Sequence, residues 1–402
     1  MMNILFLTLS QIISDISSRG IYPDLLRKFA KEGHKVFIVC PFERRKKKAT
    51  CLTANGGVNI LGIKTFNLTK SNILEKGIGT ILIEYQYQQA IKKYLPDVHF
   101  DLVLYSTPPI TFNRLIKWIK QKSGAKTYLL LKDIFPQNAV DLGMFSKISP
   151  IYWFFRRKEK ALYTVSEHIG CMSPANVKYF LNHNLGISRE RVEVCPNSIE
   201  LQTKLEYVYK EAILLKYGLP SNIPLYIYGG NLGKPQGIDF LIEVLKSNSN
   251  RSDVFFLIAG NGTAYDKLET WYKNENPSNV LLLSQMTKDD FEQLVSVSDV
   301  GLIFLDKRFT IPNYPSRLLS YLENKIPILM ATDIHTDIGP IAEENGYGFW
   351  VKSGDLDTFN NRLNYLLTNK ELVTKMGEKG YQYLCEHYTV DKSYEIIMAH
   401  FN

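Results

Sequence analysis

The chain opens the same α/β unit twice, and that duplication limits the folds available to it. Near the N-terminus, Met2-Asn3-Ile4-Leu5-Phe6-Leu7-Thr8 reads as a buried strand leading into a loop and a helix. Near the middle, Leu225-Tyr226-Ile227-Tyr228 is another apolar strand. It runs into Gly229-Gly230-Asn231-Leu232-Gly233-Lys234-Pro235-Gln236-Gly237 and a second helix. Short apolar strands followed by glycine loops and amphipathic helices mark doubly wound parallel sheets. Two such sheets predict a cleft between domains, gripping a nucleotide on one side and a partner molecule on the other.

Length agrees, since 402 residues exceed one ordinary core at about 150 residues per domain. The expected division is an N-terminal Rossmann-like domain at 1–197, with 385–402 packing back onto it, and a C-terminal one at 198–384. Breakers at Pro196-Asn197-Ser198 and Gly218-Leu219-Pro220 mark the junction. Strands are expected at 35–40, 58–63, 101–106, 126–131, 167–172 and 192–196 in the first half. In the second they are expected at 225–228, 254–259, 280–283, 300–305 and 328–331. No apolar run approaches the roughly 18 residues of a membrane span. The first strand lacks the basic residue and cleavage site of a signal peptide. Five cysteines without a CxxC pair point to reduced thiols in a cytoplasmic protein rather than to disulfides or zinc.

Charge is unevenly divided. Residues 1–200 carry 29 Lys and Arg against 15 Asp and Glu, whereas 201–402 carry 19 against 25. The first half is therefore built to meet something anionic. Trp153-Phe154-Phe155-Arg156-Arg157-Lys158, and the stretch Ile73 to Leu95 with Lys76, Lys92 and Lys93, suit an anionic bilayer surface. A buried aromatic face is the competing explanation. Arg44-Arg45-Lys46-Lys47-Lys48 reads as a solvated loop. No nucleic-acid motif accompanies the charge, so nucleic acid is not an expected partner.

Three places have the residue types that chemistry needs. The 229–237 loop gathers backbone N–H groups and a helix N-terminus at a strand's carboxyl end, which favours a diphosphate. Lys234 adds charge where a departing pyrophosphate becomes more negative. Tight packing is the alternative reading of the glycines. The loop is neither a Walker A nor a GxGxxG motif, so ATP hydrolysis and NAD chemistry lose ground. Asp133, beside Lys132, ends an apolar strand at the sheet's functional edge. There it either accepts a proton from an attacking hydroxyl or caps the next turn. In Thr310-Ile311-Pro312-Asn313-Tyr314-Pro315-Ser316-Arg317, Pro315 suits the first turn of a helix. Ser316 and Arg317 then lie at its positive end, where phosphate oxygens are welcome; a surface arginine is the alternative. His34 and His168 read as structural, no histidine pair has metal-ligand spacing, and no GxSxG elbow is present.

These residues resemble a family. Arg19-Gly20, the Glu32-Gly33-His34-Lys35-Val36 turn, Lys132-Asp133-Ile134-Phe135-Pro136-Gln137-Asn138-Ala139 and Cys195-Pro196-Asn197-Ser198 fall in its order and spacing. So do Tyr228-Gly229-Gly230-Asn231-Leu232-Gly233 with Gln236-Gly237, Ala259-Gly260-Asn261-Gly262 and Pro315-Ser316-Arg317-Leu318-Leu319. Over nearly its whole length the chain is similar to retaining glycosyltransferases of family 4, in the branch serving bacterial capsule, O-antigen or exopolysaccharide assembly.

The resemblance implies a GT-B fold, two Rossmann-like domains with a C-terminal helix crossing back. It implies a nucleotide-diphosphate sugar donor, with UDP expected. Gly230, Asn231, Gly233, Lys234, Gln236, Ser316 and Arg317 would hold the diphosphate. Gly260, Asn261, Gly262 and the Ser284–Thr287 segment, with Met286, would border the base, and Ser320 falls where the ribose is met. Arg19, Gly20, Thr107-Pro108, Lys132 and Asp133 would meet a lipid-diphosphate-linked saccharide. Asp133, Lys234 and Arg317 are the implied catalytic residues. No metal or cofactor is implied, and the enzyme would sit peripherally on the inner face of the plasma membrane.

The chain also departs from the family. The family's paired glutamates, of which the second normally bonds the ribose hydroxyls, align with Pro312 and Ser320; Glu323 stands one turn further on. The common histidine before the aspartate is Lys132. These departures motivate a second expectation, a catalytically silent subunit that binds nucleotide or carrier. A UDP-sugar 2-epimerase of the same fold is a third.

Overall fold

The computed structural model describes residues 1–402 apart from 11, 12, 14, 68–72, 203–209, 250, 285 and 402, with the backbone alone for 73–78. The chain divides into two units, Met1–Glu200 with Val390–Asn402, and Leu201–Thr389.

The first unit begins β1 (Asn3–Leu7), α1 (Ile21–Lys31), β2 (Lys35–Glu43), β3 (Cys51–Asn55), β4 (Val58–Thr65), α2 (Ile73–Tyr94) and β5 (Leu102–Ser106). It continues α3 (Asn113–Ser123), β6 (Lys126–Leu131), α4 (Gln137–Asp141), α5 (Pro150–Val165), β7 (His168–Cys171), α6 (Pro174–His183) and β8 (Val192–Val194). The sheet order is β3-β4-β2-β1-β5-β6-β7-β8, and every pairing is parallel except β3 with β4. Ile4–Leu7 and Leu102–Tyr105 are buried along their length. Burial on both faces produces the unbroken apolar runs by which these strands are legible. β3 was not expected, because it is an exposed edge strand. Its signal is the two-residue turn Gly56-Gly57, both at positive φ (56° and 78°), as a tight hairpin requires.

The second unit holds α7 (Lys210–Tyr217), β9 (Leu225–Asn231), α8 (Ile238–Ser247), β10 (Phe255–Asn261), α9 (Tyr265–Glu275), β11 (Val280–Leu283) and α10 (Lys288–Ser296). Then come β12 (Val300–Phe304), α11 (Arg317–Glu323), β13 (Ile328–Thr332), α12 (Ile338–Glu344), β14 (Gly348–Lys352), α13 (Leu356–Thr368) and α14 (Lys370–His387). Its parallel sheet runs β11-β10-β9-β12-β13-β14. In each sheet the winding direction reverses once, between β1 and β5 and between β9 and β12. Ligands bind at the carboxyl ends of strands flanking such a reversal.

The last helix, α15 (Val390–Met398), belongs to the first unit. Val390 N–H donates to Ile199 O at 3.1 Å, Ser393 Oγ meets Ser198 Oγ at 2.8 Å, and Tyr394 Oη meets His34 Nε2 at 3.0 Å. The His400 ring beyond it stacks on His168 at 3.7 Å. Both histidines read as structural in the sequence thus hold the returning segment.

The unit boundary falls at Glu200/Leu201 and Thr389/Val390, a few residues beyond the expected 197 and 385. Glu200 is tied into the first unit. Its N–H donates to Asp24 Oδ2 at 3.1 Å, its carboxylate accepts from Arg27 at 3.1 and 3.2 Å, and it pairs with Lys31. Among the described residues no helix is long and apolar enough to cross a membrane.

Candidate active site

In the second unit, β12 pairs with β9 only at Val300↔Tyr226 and Gly301↔Ile227. Tyr321 of α11 closes the gap that follows. Its hydroxyl accepts from Gly229 N–H at 3.3 Å and faces the carbonyl oxygens of Ile227 (3.2 Å) and Leu302 (3.4 Å). Backbone groups left unpaired by the diverging strands are satisfied in this way. Burial holds the phenol's pKa well above its ordinary value, so it keeps the proton it donates. The first turn of α11, with Arg317 and Ser320, is thereby pinned beside the end of β9.

Arg317 is the centre of this edge. Its Nη2 donates to Gln236 Oε1 at 2.6 Å, and its guanidinium lies 4.4 Å from the centroid of the Tyr228 ring. A Cβ on Gly230 would stand 3.4 Å from the same Nη2. Nη1 is buried and has no hydrogen-bond partner among the described residues. A buried donor left unpaired costs about 1–3 kcal/mol, so this one is placed for an acceptor that the protein does not supply.

Lys234 opens the 3-10 turn Lys234–Gln236, is exposed, and makes no ion pair among the described residues. Gly237 caps α8 in the left-handed region (φ 56°, ψ 37°), and a Cβ there would come 2.8 Å from Leu305 O. Only glycine allows α8 to start so close to the end of β12. Gly260 has a different purpose, since its Cβ would lie 1.8 Å from Gly230 O. It and Gly262 are accounted for by tight packing of β10 against the loop after β9. Asn231, Asn261 and Ser316 are exposed along the same edge, while Gly233 is buried beside the Asn231 amide.

The carboxylate that sequence reasoning missed is Glu292. Ser320 Oγ donates to Glu292 Oε2 at 2.7 Å. The adjoining Phe291 ring fills the space a Cβ on Gly229 would occupy, 1.9 Å away, so this part of α10 lies directly on the end of β9. Glu323 is buried and accepts from Gln202 N–H at 3.2 Å, so it does not stand in for the residue replaced by Ser320. Met286 is half-buried before α10. In the Ser284–Thr287 segment, Gln285 lies outside the described residues.

In the first unit, Asp133 follows β6. Its Oδ1 accepts from Asn138 Nδ2 at 2.7 Å, and Thr107 braces the turn through both Lys132 N–H (3.1 Å) and Asp133 N–H (3.0 Å). Burial raises the Asp133 pKa, while Asn138 and the Ile134 N–H oppose that shift. Lys132 Nζ donates to Cys195 O at 3.2 Å, and burial lowers its ammonium pKa to about 8. Tyr22 of α1 belongs to the same cluster. Its phenol is pushed up to about 12 by burial, with the Asp133 charge adding to the rise and a Ser106 hydrogen bond opposing it. Pro108 is exposed at the same edge. Arg19 instead donates to Glu200 O at 2.9 Å, and Gly20 N–H donates to Asp24 Oδ1 at 2.9 Å. Both therefore help hold the chain end of this unit.

Residues 210–383 match the model of a family described as glycosyl transferases group 1. The probable glycosyltransferase WbjE of Pseudomonas aeruginosa is 20% identical over 280 residues, covering 70% of this chain and 69% of that protein. Among solved structures, HepE from Anabaena in complex with UDP-glucose aligns with a TM-score of 0.70 at 13% identity, covering 100% of this chain and 99% of that one. WaaG, a glycosyltransferase involved in lipopolysaccharide biosynthesis, aligns with a TM-score of 0.65 at 14% identity, covering 98% and 99%. At these identities the structural likeness is one of fold, the GT-B fold.

Proposed function

We propose that this chain, a glycosyltransferase with a group 1 domain at residues 210–383, transfers a sugar from a UDP-sugar to a hydroxyl of a lipid-diphosphate-linked saccharide. The pathway would be bacterial surface polysaccharide biosynthesis, and the place the cytoplasmic face of the plasma membrane. The observation that carries the reading is the Arg317 guanidinium. It is clamped by Gln236 and Tyr228, with a buried Nη1 that lacks a partner. A departing diphosphate would supply the missing acceptor, and Lys234 with the start of α8 would add positive potential. Asp133 would face the acceptor hydroxyl, its proton affinity raised by burial. Glu292 is the carboxylate we assign to the ribose, brought to Ser320 from another helix. Retention of stereochemistry follows the resemblance. Metal independence is proposed because two side-chain cations neutralise the leaving group.

UDP release by the purified chain, supplied with UDP-sugars and membrane-extracted acceptor, tests this. Arg317→Ala and Lys234→Ala should each lower turnover by about 10²–10³ at unchanged melting temperature, and EDTA should leave the rate unchanged. Near-wild-type turnover by both variants would remove the cations from the mechanism. Nucleotide binding without release favours the silent subunit, and release of free sugar without acceptor favours the 2-epimerase.

A further inference from the structure

A cavity of about 80 Å³ opens in the first unit beside the Asp133 turn, lined by Gln137, Lys147, Tyr152, Arg156, Tyr179 and His183 among others. Glu159 and Asn184 line it too, and the Glu159 carboxylate is committed to Arg156. Arg156 is set in place by pairing with buried Glu159 and by donating through Nη2 to His183 O (2.6 Å) and Asn184 Oδ1 (2.8 Å). Glu159 is held in turn by Tyr163 Oη at 2.6 Å. Lys147 is exposed and makes no ion pair among the described residues. The Tyr152 and Tyr179 hydroxyls likewise have no partner there. Burial, with the Asp141 and Glu159 carboxylates nearby, raises the Tyr179 pKa well above its ordinary value, so that hydroxyl remains a donor. A guanidinium, an ammonium and two phenols around so small a space suit a compact anion.

What adjoins the cavity narrows the choice of anion. The chain from Met144 to Phe154 leaves Met144, Ile148, Ile151, Trp153 and Phe154 47–88% exposed, and Lys147 lies among them. Five large apolar side chains so close in sequence mark a surface that meets apolar material. We propose that this cavity holds a phosphate of the lipid-linked acceptor, with the lipid chain along the Met144–Phe154 shelf. The site rests on the lipid-diphosphate acceptor proposed above. Gln137 and Ile134 join it to Asp133, so a phosphate here is a few residues from the group assigned to the acceptor hydroxyl.

Calorimetric titration of the full chain with farnesyl diphosphate, farnesol and inorganic pyrophosphate tests the site, with UDP titrated in parallel. Farnesyl diphosphate should bind at least about tenfold more tightly than either fragment. Lys147→Gln and Tyr179→Phe should each weaken it about five- to tenfold, with UDP affinity and melting temperature unchanged. Variants that bind farnesyl diphosphate like wild type overturn the site. Farnesol binding as tightly overturns the phosphate, and pyrophosphate binding as tightly overturns the lipid. A chain that turns over UDP-sugars yet ignores farnesyl diphosphate loses this site but keeps the transferase reading. One that binds farnesyl diphosphate without turning over any sugar nucleotide keeps the site and loses that reading.

Discussion

Lys132 and Asp133 adjoin at the end of β6, and burial favours the neutral form of each. For Lys132 the consequence can be measured. Its ammonium falls from an ordinary 10.5 to about 8 in the folded chain. Between those values the unfolded state holds more protons than the native state, so this residue makes the unfolding free energy rise with pH across that window. Below about pH 8 the buried charge is a standing cost. Lys132→Met should therefore melt higher than wild type at pH 7, and the difference should shrink towards zero by about pH 10.5. A difference that does not change with pH would show that Lys132 is not the titrating group. Asp133 was legible in the sequence because an unbroken apolar strand, Tyr128 to Leu131, delivers it to the sheet edge. The orientation of Lys132 was not legible, because its partner is the Cys195 carbonyl 63 residues away, reached only when β6, β7 and β8 lie side by side.

α10 and α11 show what sequence periodicity can and cannot convey. α11 was expected close to its observed start, since Pro315 suits the first turn of a helix. The meeting of Ser320 with Glu292 across 28 residues was not, because it depends on α10 lying over Gly229 and α11 being pinned by Tyr321. The same limit applies to β3, whose exposed residues give no burial pattern to read. If Glu292 meets the donor's ribose, Glu292→Ala should raise KM for the UDP-sugar about tenfold or more and leave kcat nearly unchanged. Hydrogen bonds to a charged group contribute about 1.5–3 kcal/mol. Glu292→Gln should fall between, since it keeps one acceptor oxygen. If KM does not move and only the melting temperature falls, the Ser320–Glu292 bond is a tie between helices.

For the whole molecule, the excess of positive charge in residues 1–200, 29 Lys and Arg against 15 Asp and Glu, coincides with an apolar surface. Ser149 caps α5, its side chain accepting from Ile151 N–H, and Pro150 takes the first helical position. Its inner face buries Glu159, Leu162 and Tyr163, leaving Trp153 62% and Phe154 47% exposed. That removes the buried aromatic face as the explanation for this segment. Ile81 and Tyr85 of α2 are exposed as well, at 66% and 61%. Glu84 between them is close enough to Lys158 for that charge to lower its pKa against the larger rise from burial. Aromatic side chains beside cations should partition into an anionic interface, with electrostatic attraction assisting apolar burial. The full chain should then co-sediment with phosphatidylglycerol-containing vesicles and far less with neutral ones. Salt should weaken the association, as the screening length falls from about 10 Å at 0.1 M to about 3 Å at 1 M. Replacing Trp153 and Phe154 together by Ala should lower partitioning about tenfold or more, because each ring contributes a few kcal/mol of burial at most, while UDP affinity should stay at the wild-type value. Equal partitioning of wild type and double variant would move the membrane contact away from α5.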